Sequence, residues 1–333
     1  MPVRQAASVT APGVPPAGVW CPAVTCFTDD DDLDLEAQAK YFAHLSRSGL
    51  AGLVVMGTNS EAMLLTREER SQLIATARRA VGPAFPLMAG VGAHSTKQTL
   101  QLADDAAEAG ADYLLVLPPA YFGKATTMAT TRRFFAAVAA AAALPVVIYN
   151  FPGVCNGVDL DSDTITAIVR DSAARNHGVS RVVGVKLTCG SVGKITRLAA
   201  QHRPDAFSIF GGQSDFLVGG LAAGSAGCIA AFANVCPRLT AEIYRLYTEG
   251  LRQRATELQQ LAALAESPCK AGIAATKFAA TLVSARLAGI DDAEAKFRPR
   301  HPYEEPSDAA KRSARAAIRE AADMEEVLQK AAA

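Results

Sequence analysis

The sequence reads VVGVKL at residues 182–187, an apolar run that is interrupted by one charged residue, Lys186. A short continuous apolar run of this kind is typical of a buried strand. An ammonium group is costly there, because removal from water disfavours its charged form. A neutral lysine amine attacks ketones and forms Schiff bases with them. Lys186 is therefore a candidate covalent catalyst; the alternative is a lysine whose head group reaches solvent or pairs with a buried carboxylate.

Similar apolar runs recur along the chain, and each is followed by a turn and an amphipathic or alanine-rich helix. The predicted strands are residues 19–27, 53–57, 87–92, 113–118, 146–150, 182–187, 207–211 and 227–233. The predicted helices are residues 35–47, 67–81, 96–109, 130–143, 161–172, 194–201, 215–223 and 237–249. Eight alternating units predict an α/β fold with a parallel sheet, closed as a (β/α)8 TIM barrel. An open doubly wound sheet is the alternative, but no GxGxxG element follows the first strand to support it.

The chain divides into three parts by composition. Residues 1–18 are rich in Ala, Pro and Val and lack the apolar core of a secretion signal, so we predict a disordered arm. Residues 19–250 have the length of a catalytic barrel. Residues 251–333 are predicted to be a helical extension that covers the barrel or an interface. Its predicted helices are residues 251–266, 270–288 and 308–332.

The charge balance and cysteine content exclude several classes of protein. The chain has 33 basic and 33 acidic residues, which argues against a nucleic-acid surface or a polybasic membrane anchor. Its apolar stretches are too short to span a membrane. Seven cysteines without a CxxC pair indicate free thiols in a reducing compartment. We therefore expect a cytoplasmic protein, with a mitochondrial location as the alternative.

Barrel enzymes place their chemistry at the carboxyl ends of the strands. Those positions hold the sequences GTNSE at 57–61, PPAY at 118–121, YNFP at 149–152, KLT at 186–188, GG at 211–212 and the segment 229–234. They supply one amine, two phenols, small hydroxyl groups and glycine backbone. Carboxylates and histidines are scarce there, so we expect no metal site.

Three of these elements occur in a recognisable order, namely GTNSE at 57–61, YNxP at 149–152 and GVK at 184–186. In this combination the chain resembles the dihydrodipicolinate synthase / N-acetylneuraminate lyase family of class I pyruvate-type aldolases, over roughly residues 19–290. The resemblance implies a TIM barrel, a Schiff-base mechanism without a separate cofactor, and a homotetramer built as a dimer of dimers. Within the family, it is most similar to 4-hydroxy-2-oxoglutarate aldolases and fungal-type 2-keto-3-deoxy-L-galactonate aldolases.

The resemblance also implies roles for individual residues. Lys186 would form the imine with a 2-oxo acid, and Tyr149 would shuttle protons. Thr58 would bind the substrate carboxylate together with Asn59 and would continue the proton relay. Tyr121 would complete that relay across a dimer interface, although PPAY matches the family pattern only loosely and a packing role is the alternative.

Three further residues are expected near the site. The resemblance implies that Ile229 directs its backbone carbonyl at the catalytic centre, and Gly212, at the end of strand seven, is expected to contribute to substrate binding. Glu61 is expected to anchor the turn that it ends and to take no part in the chemistry.

One departure from the family bears on the substrate. Members that condense pyruvate with aspartate semialdehyde carry an arginine two residues after the proline of YNxP, and here that position is Val154. This weakens 4-hydroxy-tetrahydrodipicolinate synthase as the activity. We expect an aldolase that cleaves a 4-hydroxy-2-oxo acid, either 4-hydroxy-2-oxoglutarate or 2-keto-3-deoxy-L-galactonate, to pyruvate and an aldehyde. The second carboxylate of 4-hydroxy-2-oxoglutarate needs a cation, and Lys124 and Lys194 are the nearest candidates by sequence.

Two other classes of function stay open at this stage. A barrel without activity could serve as a binding protein, since fold alone does not decide function. The glycine pairs at 211–212 and 219–220 lie near strands seven and eight, where barrel enzymes often bind phosphate. Paired glycines are common by chance, so this second signal is weak.

Overall fold

The computed structural model describes residues 13–331, and its centre is a closed barrel of eight parallel strands in chain order. The strands are β1 Gly18–Pro22, β2 Gly52–Val55, β3 Leu87–Gly90, β4 Tyr113–Val116, β5 Val146–Asn150, β6 Val182–Leu187, β7 Ser208–Gly211 and β8 Gly227–Ile229. The predicted TIM barrel is confirmed, and all eight predicted strands are present.

Strands β1 to β4 and β8 end earlier than their apolar runs predicted, and the difference is largest for β1, which ends at Pro22, and β8, which ends at Ile229. The chain leaves the barrel at both points because one side chain, Asn234, joins the two exits. Its amide nitrogen donates to the Pro22 carbonyl at 2.9 Å, and its amide oxygen accepts from the Val24 N–H at 3.0 Å. These backbone groups are therefore satisfied outside the strand ladder.

Eight helices alternate with the strands and pack around them. They are α1 Leu35–Ser46, α2 Arg67–Val81, α3 Thr96–Glu108, α4 Met128–Ala141, α5 Ser162–Arg175, α6 Val192–Gln201, α7 Leu217–Ala222 and α8 Pro237–Thr248. A capping box begins α2: the Thr66 side chain accepts from the Glu69 N–H, and the Glu69 carboxylate accepts from the Thr66 N–H.

The C-terminal extension consists of α9 Arg252–Glu266, α10 Ile273–Leu282, α11 Ser284–Leu287, α12 Ala293–Lys296 and α13 Asp308–Ala331. The prediction of one continuous helix over residues 270–288 was wrong. Gly272 has φ 136° and Val283 has φ −130° and ψ −84°, and neither backbone conformation belongs to an α-helix. Across residues 13–331, no helix combines the length and the apolar character needed to cross a membrane.

Two apolar clusters fill the structure. The larger lies between the strands and the surrounding helices, and the smaller fills the barrel interior, with Trp20, Phe210 and Ile229 among its members. At the amino end of the barrel, the backbone carbonyl of Pro16 accepts from the Trp20 indole N–H at 2.9 Å, and that of Val14 accepts from the Tyr113 hydroxyl at 3.1 Å. Residues 1–12 of the predicted disordered arm lie outside the described residues.

Candidate active site

A cavity of about 790 Å³ opens at the carboxyl end of the barrel. Its wall combines strand-end residues with residues of the C-terminal extension between 266 and 304. Five of the site residues predicted from the sequence line the cavity, namely Thr58, Asn59, Tyr149, Lys186 and Gly212. The fold therefore brings most of the predicted site together.

Lys186 is buried, with 2% of its surface exposed, although it carries an ammonium-type head group. It pairs with Tyr149 across the β5–β6 ladder, and its Nζ lies 4.2 Å from the centre of the Tyr149 ring. Within the part of the chain that the structure describes, no carboxylate lies within ion-pair distance of Lys186. The alternatives of a solvent-exposed head group or a carboxylate partner therefore do not describe this lysine.

A bulge in β6 turns Lys186 into the barrel. The β5–β6 ladder skips Val183 between its first two pairs. Val183 packs in the interior cluster, whereas Val185 packs in the outer one, so the alternation of faces shifts by one residue between them. Gly184 permits the bulge, because a Cβ there would lie only 2.7 Å from the Ser208 carbonyl oxygen of β7. Without the shift, Lys186 would face the surrounding helices.

The strand-two turn brings a hydroxyl group to Tyr149. Thr58 begins a short 3-10 turn after β2, and its Oγ1 lies 3.3 Å from the Tyr149 hydroxyl. The turn is held from below by Ser60, whose hydroxyl donates to the Ala23 carbonyl at 2.6 Å and whose carbonyl accepts from the Thr25 hydroxyl at 2.7 Å. The hydrogen bond between Thr58 and Tyr149 thus joins the turn to the phenol that lies beside Lys186.

Thr188 and Gly212 lie next to one another on the cavity wall. The Thr188 Oγ1 is buried and has no hydrogen-bond partner among the described residues. A Cβ on Gly212 would lie 2.2 Å from that oxygen, so the glycine is required by the close approach of Thr188.

Two residues that the resemblance placed at the site do not line the cavity of this chain. Ile229 lies inside the barrel on β8 and is fully buried opposite Trp20 of β1. Tyr121 is 72% exposed on the loop after β4, where it packs edge-on against Phe122. The contribution of Tyr121 to a site would therefore have to be made to another copy of the chain.

The cations expected near the distal part of the substrate are also placed elsewhere. Lys194 lies in the first turn of α6, where it is buried and paired with Asp159, and Lys124 lies in a turn between β4 and α4; neither lines the cavity. Among the described residues, Arg70 and Lys270 are the lining cations besides Lys186. The sequence prediction for this part of the site was wrong, because the lining cations come from α2 and from the C-terminal extension and not from the segments that hold Lys124 and Lys194.

Arg70 and Lys270 differ in their surroundings. The Arg70 guanidinium donates to the carbonyls of Ala62 at 2.8 Å and Gly90 at 2.7 Å, and burial lowers the pKa of Arg70 to about 10. The Lys270 Nζ lies 2.6 Å from a carboxylate oxygen of Asp215. Among the described residues, Arg70 therefore forms no ion pair, while Lys270 is paired with Asp215.

Glu266 is a further residue that sequence reasoning missed. It ends α9, lines the cavity and is 3% exposed. The Ser214 hydroxyl donates to its carboxylate at 2.6 Å, and burial raises the pKa of Glu266. Glu266 lies in a helix far along the chain from every recognised motif, so no local pattern indicated it.

Comparison with known proteins connects this geometry to a family. A family model described as the dihydrodipicolinate synthetase family matches residues 15–321. The chain belongs to that family. It is 64% identical over 315 residues to a protein of Coccidioides immitis named "Putative 4-hydroxy-2-oxoglutarate aldolase, mitochondrial", covering 94% of this chain and 98% of the relative.

A second relative and a solved structure extend the comparison. The chain is 34% identical over 282 residues to an L-threo-3-deoxy-hexylosonate aldolase of Hypocrea jecorina, covering 81% of this chain and 87% of that protein. A crystal structure of a dihydrodipicolinate synthase family protein from Coccidioides immitis superposes with a TM-score of 0.87 at 60% identity, covering 95% and 98% of the two chains. The resemblance drawn from three short motifs is thus confirmed over nearly the whole chain.

Proposed function

We propose that this member of the family is a Schiff-base-forming aldolase that cleaves a 4-hydroxy-2-oxo acid to pyruvate and an aldehyde. The observation that carries the proposal is the buried Lys186 amine on the cavity wall, in contact with Tyr149 and, through it, with Thr58. The relatives named as aldolases support the reaction class. The imine forms on the lysine itself, so the reaction needs no separate cofactor.

The reaction begins when the Lys186 amine attacks the C2 ketone and water leaves, which gives an iminium. Tyr149 then takes the proton of the C4 hydroxyl, and the C3–C4 bond breaks. The bonding electrons move into the iminium, which becomes a neutral enamine as the aldehyde leaves. Protonation of the enamine at C3 and hydrolysis release pyruvate and restore the amine. Thr58 passes protons to and from the phenol across the 3.3 Å contact.

The substrate carboxylate next to C2 is held by the strand-two turn in this mechanism. Thr58 and Asn59 both line the cavity, and each offers a backbone N–H and a polar side chain to a small anion. The carboxylate binds equally before and during bond cleavage, so the turn contributes orientation and affinity.

For the distal half of the substrate, 4-hydroxy-2-oxoglutarate is the first candidate. Its second carboxylate would pair with Arg70 on the cavity wall, which forms no ion pair with an acidic residue in the described part of the chain. The relative at 64% identity supports this choice by its name. A 2-keto-3-deoxy sugar acid is the second candidate, because Gln213, Glu266 and Lys270 offer the mixture of donors and acceptors that hydroxyl groups need.

Two alternatives are less well supported. A 4-hydroxy-tetrahydrodipicolinate synthase would need a cation where Val154 lies on the cavity wall, and a valine cannot pair with the carboxylate of aspartate semialdehyde. A barrel without activity would have no use for a buried amine, a phenol and a hydroxyl in contact.

The proposal extends to assembly and location. We infer a homotetramer built as a dimer of dimers, in which Tyr121 of one subunit reaches the site of another. The word mitochondrial in the name of the Coccidioides immitis relative favours a mitochondrial over a cytoplasmic location. Expression of residues 1–18 fused to a fluorescent protein would separate these two locations.

Borohydride reduction in the presence of pyruvate tests the proposed mechanism. Mass spectrometry of the digested protein should find one reduced pyruvyl group, on the peptide of Lys186. Lys277 is an internal control, since it is equally buried but does not line the cavity. An unmodified Lys186, or equal labelling of Lys277, would contradict the mechanism. A panel of 4-hydroxy-2-oxoglutarate and 2-keto-3-deoxy sugar acids, followed by released pyruvate, then decides the substrate.

A further inference from the structure

A buried ion pair joins the C-terminal extension to the strand-two turn. The Glu61 Oε2 lies 2.6 Å from the Nζ of Lys277 on α10, and the two side chains are 2% and 0% exposed. The second carboxylate oxygen of Glu61 accepts from the backbone N–H of Arg300 at 2.8 Å. Both oxygens of this carboxylate are therefore held by residues that follow the barrel in the chain.

Glu61 is directly continuous with the residues that face the substrate. Its own N–H donates to the Thr58 carbonyl at 3.0 Å and closes the 3-10 turn. Its backbone has φ 56° and ψ 35°, a left-handed conformation that costs free energy for a residue other than glycine. Such a conformation persists only where surrounding contacts hold it, and the Glu61 side chain makes two such contacts, with Lys277 and with the Arg300 N–H.

Lys277, the basic partner of the pair, also contacts an aromatic ring outside the pair. Its Nζ lies 4.5 Å from the centre of the Phe27 ring, on the loop after β1. Burial lowers the pKa of Lys277, and the Glu61 carboxylate acts in the opposite direction. Removing one partner of such a pair leaves a buried charge without compensation, which is far more costly than losing both.

Arg300 adds a second tie between the extension and the same region. Its guanidinium donates to both carboxylate oxygens of Glu69, each at 2.7 Å, and to the carbonyl of Leu64 at 3.1 Å. The segment after α12 is thus attached to the turn and to the start of α2. The extension therefore contacts residues 58–64 at two points, the Glu61 carboxylate and the Leu64 carbonyl.

The charges of the pair also bear on the proposed substrate. Glu61 lines the cavity next to the turn that would bind a carboxylate, and an uncompensated negative charge there would repel it. Lys277 cancels that charge from behind, outside the cavity wall. The turn can therefore present N–H donors to an anion although a glutamate ends it.

We propose that Glu61 and Lys277 are positioning residues, which fix the strand-two turn and neutralise its glutamate so that Thr58 and Asn59 can bind the substrate carboxylate. The C-terminal extension is then a working part of the active site. This inference rests on the proposed function, because it assumes that the turn receives a 2-oxo acid.

Steady-state kinetics of the full-length protein with 4-hydroxy-2-oxoglutarate test the proposal. Glu61→Gln should raise KM about tenfold and change kcat less, because it weakens binding in the ground and transition states alike. Lys277→Met should raise KM further, since the charge of Glu61 then faces the substrate. The double variant Glu61→Gln/Lys277→Met should recover part of the loss seen in Lys277→Met.

Glu325→Gln is the matched control. Glu325 is also a buried glutamate, but it lies in the extension, and its carboxylate contacts α8 and not the strand-two turn. It should leave KM at the wild-type value. Equal shifts of KM in Glu61→Gln and Glu325→Gln, or a KM of Glu61→Gln that matches the wild type, would overturn the positioning role.

Amide hydrogen exchange separates this proposal from the proposed function. Peptides that cover residues 57–61 should lose protection in Glu61→Gln and keep it in Glu325→Gln. This result does not depend on turnover, so a wild-type protein that releases no pyruvate would count against the aldolase activity alone. Unchanged protection of the turn in Glu61→Gln would refute the positioning role whatever the activity.

Discussion

Lys186 and Tyr149 occupy paired positions on adjacent strands, and the lysine Nζ lies over the face of the phenol ring, 4.2 Å from its centre. The contact is set by the strand register, because both side chains project from the ladder into the same interior. A one-residue slip would send one of them to the opposite face. The spatial relation of amine and phenol is therefore a property of the barrel and needs no loop to create it.

Removal of the phenol hydroxyl should damage catalysis and leave the fold intact. We expect Tyr149→Phe to lower kcat by roughly 10²-fold or more, the usual contribution of a positioned acid–base group, with little change in KM. Tyr113→Phe is the matched control, since its hydroxyl bonds the Val14 carbonyl at the other end of the barrel. Pyruvate release measures both. Equal kcat values for the two variants would contradict the role of Tyr149.

The bulge that turns Lys186 inward should depend on Gly184. A methyl group at Gly184 would meet the Ser208 carbonyl oxygen at 2.7 Å, so Gly184→Ala must displace a strand backbone. We expect a loss of about 1–3 kcal/mol in the free energy of unfolding, together with weaker borohydride trapping of pyruvate on Lys186.

Gly219→Ala provides the comparison for that substitution. Gly219 lies in α7, where an added Cβ would meet nothing within 4 Å. Alanine favours a helix over glycine by roughly 1 kcal/mol, so this variant should be as stable as the wild type or more so. Denaturant unfolding of both variants gives the measurement. A Gly184→Ala protein with wild-type stability and trapping would show that the bulge tolerates a side chain.

The contact between α13 and the barrel should weaken as the pH rises. The Glu325 carboxylate accepts from the N–H groups of Arg238 and Leu239 at the start of α8, yet burial dominates and raises the pKa of Glu325 to about 7. Because the folded-state pKa is the higher one, the folded protein binds the proton more tightly than the unfolded chain. The stabilisation is complete below the ordinary carboxyl pKa of 4.5 and is lost as the pH rises towards 7.

Urea unfolding from about pH 4.5 to about pH 7.5 should therefore show a fall in stability that is up to roughly 3 kcal/mol larger in the wild type than in Glu325→Gln, where Glu266 still contributes. Glu326→Gln is the control, because Glu326 is the neighbouring residue and is paired with Arg286 at the surface. It should keep the wild-type pH dependence. Parallel pH curves for wild type and Glu325→Gln would contradict the assignment of this titration to Glu325.

The exposed pair of aromatic residues after β4 should mark a subunit contact. Tyr121 and Phe122 are 72% and 73% exposed, with ring centres 5.3 Å apart. Adjacent exposed aromatic groups are typical of an interface. We expect sedimentation to show a tetramer, Phe122→Asp to dissociate it, and Tyr121→Phe to preserve it while lowering kcat. A fully active monomer would contradict both the assembly and the role of Tyr121.

Most of the barrel could be predicted from the sequence, because a buried parallel strand leaves a local signal of continuous apolar residues. The same is true of Lys186, since a charge inside such a run is conspicuous wherever it occurs. The motifs that contain Thr58 and Tyr149 are also contiguous. Strand ends were predicted less well, as at β1 and β8, because Asn234 ends both through contacts across the fold.

The far side of the cavity could not be predicted in the same way. Lys277 and Glu61 are 216 positions apart, and neither stands in a pattern that indicates the other. Glu266 and Lys270 lie on ordinary amphipathic helix and turn segments, so their place on the cavity wall follows only from how the extension packs. Lys124 and Lys194 were proposed as cations because they are near the motifs in sequence, which is not a measure of distance in a closed barrel.

The sequence by itself determined the class of fold, the reactive amine and the family, since each depends on residues that are neighbours in the chain. The tertiary structure alone decided which way the amine points and what surrounds it. A bulge of one residue in β6 sets the direction of Lys186, and a helix beyond the barrel supplies the charge behind the strand-two turn. Both depend on contacts between segments that are distant in the chain. Such contacts contribute free energy only once the chain has folded.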